Sequence, residues 1–155
     1  MNAQKIKEIV RLLRILSFGL IGSVVFLLLM ALILLSISGN PLAGEDEKLS
    51  RIMFLVLLFL GLWGIAGGQY LFRKRMRNLT ATDPIEVLDR YRGAMIVRLA
   101  LLESAAFFGV ITYLLLGDER GLLVALALLL FMVLLHPTRL RILKESGIDV
   151  ESFVD

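Results

Sequence analysis

The chain is 155 residues long and 58% apolar, with a mean hydropathy of +0.84. That apolar share exceeds what soluble domains carry, and the charged residues cluster between long apolar runs instead of being spread along the chain. The absence of cysteine and the single histidine exclude disulfides, thiol chemistry and Cys- or His-rich metal sites. The net charge of +3 flanks apolar runs, where topology rather than nucleic-acid binding accounts for it.

Residues 1–14 form a basic amphipathic segment, in which Ile6, Ile9, Val10 and Leu13 recur at helical spacing among Lys5, Glu8 and Arg11. It is expected either to lie at the membrane interface or to extend the first span inward. Crossing the hydrocarbon core takes about 20 apolar residues, and four spans are predicted, over 15–37, 52–72, 94–116 and 120–136. The first span begins after basic residues, as a signal peptide does. Its apolar run is far longer than a signal's core, and Leu42-Ala43-Gly44 is a poor cleavage site, so the segment reads as a retained helix.

The loop 73–93 is strongly basic and well punctuated. Asp83, Pro84 and Glu86 have the spacing of an N-cap, a first helical residue and the carboxylate of a capping box. The third helix is therefore predicted to start at Pro84, with Ile85, Leu88 and Tyr91 on turns that project into the cytoplasm. To Leu116 it would be about 50 Å long. Gly117-Asp118-Glu119-Arg120-Gly121 makes a tight polar turn into the fourth span, which is short and tolerates mismatch. Pro137 stops that span and opens a tail, 137–155. Leu140, Ile142 and Leu143 alternate there with Arg139, Arg141 and Lys144, giving a short basic interfacial helix ended by Gly147, with Phe153 as a docking point beyond it.

Lys and Arg set the orientation. One side collects Lys5, Lys7, Arg11 and Arg14, the basic loop, and Arg139, Arg141 and Lys144. The other has Lys48, Arg51 and Arg120 beside five acids. The predicted fold is an all-α, four-transmembrane-helix bundle with both termini inside.

Glu103 is the residue that simple burial does not explain. A carboxylate at mid-bilayer costs about 2.5–3.5 kcal/mol on insertion scales, so it is expected to face the bundle interior and to be held protonated by desolvation. Counting depth from Ala94 puts it ~13 Å into the membrane, level with Trp63 and Gly64 on the second span and with Gly22 and Ser23 on the first. Ser23, Gly64 and Glu103 thus form a candidate proton or cation site. The alternative is a protonated acid that only fixes packing. Arg98 lies about 140° around the helix from Glu103 and is expected to snorkel to headgroups.

Small residues mark the helix-packing faces: Gly61, Gly64, Gly67 and Gly68 in the second span, Ala105 and Gly109 in the third, and Gly19, Gly22 and Ser23 in the first. His136 reads as an ordinary interfacial histidine, and capping accounts for Asp83. No nucleophile–base pair, metal motif or nucleotide fingerprint is present, so neither enzyme activity nor a cofactor is expected.

Residues 52–116 resemble the helical hairpin of rotary ATP synthase c-type subunits. The likeness rests on Gly64, Gly67 and Gly68, on a basic loop ending Asp83-Pro84, and on the return through Arg98-Leu-Ala-Leu-Leu-Glu103-Ser-Ala-Ala-Phe-Phe-Gly109. It implies that Glu103 is the ion-carrying carboxylate. The chain departs from the family in lacking the regular glycine repeat, in Trp63 and in its two flanking spans. As a whole it is similar to small four-helix membrane proteins of bacteria, which implies the inner membrane and no activity. The expected role is a structural or accessory subunit, with the lipid bilayer and either further copies or a partner membrane protein around it. The alternative is an oligomeric proton- or cation-translocating component using Glu103.

Overall fold

A computed structural model describes residues 2–42, 46–77 and 83–148. They form five helices and, among the described residues, no strand: α1 (Asn2–Ser38), α2 (Glu47–Arg77), α3 (Pro84–Leu116), α4 (Glu119–Leu134) and α5 (Arg139–Ser146). Phe153 lies outside the described residues.

Local chemistry sets most boundaries. The Asp83 side chain accepts the Ile85 amide at 3.0 Å with Pro84 in the first turn. Glu86 does not complete a capping box, because its carboxylate pairs with Arg90 at 2.9 Å instead. Gly117 ends α3 in the left-handed region at φ 66°, donating its amide to the Tyr113 carbonyl. Pro41 sits so close that a Cβ on Gly117 would lie 2.8 Å from it. Residues 2–14 continue into the first apolar run as one unbroken helix, α1.

α3 is the hub. It packs against each of the other four helices, while α1 and α2 share no interface of comparable extent. The face of α3 turned to this core carries Leu88, Tyr91, Met95, Leu99, Leu102 and Ala106, all essentially inaccessible. Ile6, Val10 and Leu13 from the start of α1 join the same core, as does Ile142 of α5. α1 and α5 cover the first turns of α3.

The closest approach is between α3 and α4. A Cβ built on Gly109 would lie 2.9 Å from the Gly121 carbonyl oxygen, and one on Gly121 would lie 2.9 Å from that of Gly109. Only glycine on both sides lets the two backbones meet at this point. The two-residue turn through Gly117 and Asp118 makes α3 and α4 a tight antiparallel hairpin.

Outer faces are apolar. On α2, Leu55, Phe59, Leu62 and Trp63 are exposed at helical spacing; on α1 Phe18, Phe26, Ile33 and Ile37 are, and on α4 Leu123, Leu130 and Leu134. Three helices (α1, α2 and α3) are long and apolar enough to cross a membrane. α4 has 16 residues and qualifies only together with α5, from which it is bent by 79°. The bend falls at Leu135–Thr138, where Pro137 disfavours helical backbone in the residue before it.

At the end opposite the basic residues, Asp118 ties α2 to α4. Its carboxylate caps α4 by accepting the Arg120 amide at 3.0 Å. It also takes hydrogen bonds from Arg120 Nε and Nη2, both at 2.9 Å, and from the Ser50 hydroxyl. The Arg120 side chain chiefly holds the Asp118 carboxyl below its ordinary value of 3.8.

Gly121→Ala should lower the thermal midpoint in detergent by the equivalent of about 1–3 kcal/mol, the usual cost of overpacking. Gly22→Ala should leave it unchanged or raise it, since nothing lies within 4 Å of a Cβ there and alanine is the better helix former; a reversed order of the two variants would refute the packing described. For Asp118, a depressed folded pKa means stabilisation that is complete above the unfolded pKa and lost as pH falls through the folded one. The stability difference between wild type and Asp118→Asn should be full above about pH 5 and shrink through and below about pH 4, as read from melts across that range.

Candidate functional site

Most serine and threonine hydroxyls in the helices bond to their own backbone: Ser17 to the Leu13 carbonyl, Thr112 to Phe108, Ser104 to Ala100. Ser23 differs. Its hydroxyl faces the Leu20 carbonyl at 2.7 Å and also the Glu103 carboxyl across the α1–α3 seam, in a short contact. Glu103 is half-buried, and among the described residues Ser23 is its one hydrogen-bond partner.

This pair has a proton-counting consequence. A serine hydroxyl carries one hydrogen and cannot donate to two acceptors at once. With Glu103 ionised, Ser23 must choose between the carboxylate and the Leu20 carbonyl. With Glu103 protonated, the acid donates to Ser23 Oγ and Ser23 donates to Leu20, so both contacts are hydrogen bonds.

The other residues expected at this depth lie elsewhere. Gly64 packs on the opposite side of α3, where its Cβ position is 3.2 Å from the Leu101 carbonyl oxygen. Leu101 and Glu103 are about 200° apart around the helix, so α1 and α2 read different faces of α3. Trp63 is 60% exposed and points outward, so its indole does not surround the carboxylate. Equal depth placed these residues at one height but not on one side.

The expected packing residues are distributed over three seams. Gly61 faces Leu128 of α4 at 3.9 Å, and Gly68 faces Arg98 of α3 at 3.3 Å from its Cγ. Gly67 is buried beneath the ring of Trp63 from its own helix. Ala105 is buried in the core, and Gly109 makes the backbone crossing with Gly121. Gly19 and Gly22 face open space.

Arg98 is the largest departure from expectation. It does not snorkel: it is 6% exposed, lying over the Phe72 ring at 5.2 Å with Nη1 3.7 Å from Glu145 Oε1. Glu145 belongs to α5, which folds back onto α3. Its carboxylate also accepts the Tyr91 hydroxyl at 3.0 Å and Arg141 Nε at 3.0 Å. Arg141 reaches on to the Leu134 carbonyl, at the end of α4. One carboxylate thus links α3, α5 and the bend. Gly68 makes the space for this, since a larger residue there would meet the Arg98 side chain.

Arg98 is buried because α5 supplies the compensating charge. The Arg141–Glu145 spacing of four was legible as a helical ion pair, but nothing local pointed to Arg98 or Tyr91. The His136 ring lies 4.6 Å from that of Phe18, tilted by 50°. No cluster of three or more metal-ligating side chains occurs among the described residues.

Removing the Glu145 carboxylate leaves a buried guanidinium without its counter-charge, a change that is costly even in partly solvated sites. Glu145→Ala is expected to lower stability by about 1–3 kcal/mol and to make residues 135–138 susceptible to limited proteolysis as α5 undocks. Unchanged cleavage kinetics would show that the carboxylate does not hold α5.

Compared with protein-family models, with curated proteins and with solved structures, the chain matches none.

Proposed function

We propose that the chain is a small integral membrane protein that crosses the bilayer four times, both termini cytoplasmic. Its role is that of a structural or accessory subunit packing with further copies or with a partner membrane protein. The observation that carries this reading is the outer surface of α1 and α2: exposed apolar side chains run along both helices, whereas Glu103 and Arg98 are turned inward to join helices. Water would penalise such a surface; lipid or a partner helix would not.

Orientation rests on charge. Lys5, Lys7, Arg11 and Arg14 open α1, Arg73 to Arg77 close α2, and Arg139, Arg141 and Lys144 lie in α5. Antiparallel helices bring all of these to one end, which positive-inside bias assigns to the cytoplasm. α4, at ~24 Å, is shorter than the hydrocarbon core and would be met by local thinning or tilt of its neighbours. The bacterial inner membrane is the setting in which this topology and the resemblance to small bacterial membrane proteins agree.

A second reading is favoured by the Ser23–Glu103 pair. One hydroxyl facing two acceptors is a place for a proton, and an oligomer carrying it at each α1–α3 seam would be a translocating component.

Glu103→Gln separates the readings. Glutamine keeps a donor toward Ser23, so a packing role predicts stability within about 1 kcal/mol of wild type and unchanged proton or sodium flux in proteoliposomes. Abolished flux would displace the accessory reading. Native mass spectrometry from gentle detergent should find an oligomer or a stoichiometric partner. Free monomer across several detergents would count against the proposed role.

A further inference from the structure

The strongest concentration of charge lies outside the helix seams. The last turns of α2 carry Arg73, Lys74, Arg75 and Arg77, all exposed, and the structure records no ion pair for any of the four among the described residues. The acids across from them are already engaged: Asp89 pairs with Arg92 at 2.6 Å and Glu86 with Arg90 at 2.9 Å. A groove of about 590 Å³ opens here between α2 and α3, lined by Leu71, Lys74, Arg75, Asp89, Arg90 and Gly93. A smaller one of about 340 Å³ adjoins it through Lys74, with Tyr70, Arg73 and Arg77.

We infer that the α2–α3 groove binds the phosphodiester headgroup of an anionic membrane phospholipid, held by Lys74 and Arg75. Three observations support the site, the second of them favouring a lipid over a soluble anion. First, the cations are unneutralised by the protein, so the groove attracts an anion and releases none of its own pairs to bind it. Second, the groove is not purely polar: Leu71 lines it, and the exposed Trp63 lies within about 20° of Lys74 around α2, toward the middle of that helix. Third, Gly93 keeps the α3 side open, since a Cβ there would lie 3.6 Å from Arg75 Nη1 and a longer side chain would occupy the cleft. Basic clefts between helices at the cytoplasmic boundary suit phospholipid headgroups, each nearby cation contributing on the order of 1 kcal/mol, about fivefold in affinity.

The site rests on the membrane reading proposed above, and it adds the lipid class that the basic end selects. Its lining residues are distinct from the Glu145 cluster, which joins Arg98, Tyr91 and Arg141.

The experiment uses the full chain in phosphatidylcholine nanodiscs doped with phosphatidylglycerol, with bound lipid read by native mass spectrometry. Resistance to carbonate extraction, scored separately, reports membrane integration whatever the lipid result. Wild type should enrich phosphatidylglycerol over phosphatidylcholine. The Lys74→Gln/Arg75→Gln double variant should lose on the order of 30-fold in that preference with an unchanged thermal midpoint. Gly93→Leu, which keeps every charge, should lose most of it by filling the cleft. Enrichment that persists in both variants would overturn the site. So would equal displacement of the lipid by millimolar inorganic phosphate, which would assign the groove to a soluble anion.

Discussion

The Gly109–Gly121 crossing determines how the rest of the helices can be arranged. Two helix backbones separated by no side chain at their nearest point form a hairpin whose angle and height leave little freedom. Because this hairpin is built on α3, the longer partner becomes the axis around which α1, α2 and α5 are placed. α4 is too short to screen the whole of α3, so α1 and α2 flank it, and the two seams they make with α3 are chemically different. One is closed by the Ser23–Glu103 contact; the other is closed by glycines against backbone and by Gly68 against Arg98.

The polar groups inside this assembly follow from the same geometry. A carboxylate on the α1 side of α3 meets a hydroxyl, and a guanidinium on the α2 side meets a carboxylate carried in by α5. Each contact joins α3 to a different helix. Such groups are costly to leave alone in a low-dielectric layer and therefore specify which helix faces which. The apolar side chains, abundant on every face, specify this far less.

Boundaries were legible in the sequence wherever the chemistry was local. Asp83-Pro84 opens α3, Gly117 closes it, and Pro137 falls in the break between α4 and α5. Heights along the helices were legible too, and Ser23 does stand level with Glu103. Azimuth was not: on helices that are apolar nearly all round, spacing does not say which side meets a neighbour, so Gly64 and Trp63 were placed at the right depth and on the wrong side. Gly121 was read as part of a polar turn because Asp118, Glu119 and Arg120 precede it, which concealed its role as a packing residue. Arg98 was misread for a different reason. Its partner comes from a short helix far along the chain, and its burial is a tertiary event that no local pattern of α3 carries.

The dependence of Arg98 on Glu145 has a consequence for how the protein is made. Synthesis runs from the N-terminus, so α3 is delivered and the α3–α4 hairpin can close before the residue that neutralises Arg98 has left the ribosome. Until then the guanidinium has no protein counter-charge, and its long side chain can remain in water. Only when α5 swings back through the 79° bend does the residue become part of the interior. Docking of α5 is thus the closing step among the described helices: the α3–α4 hairpin can form without it, but the α2–α3 interface is finished only once α5 has folded back.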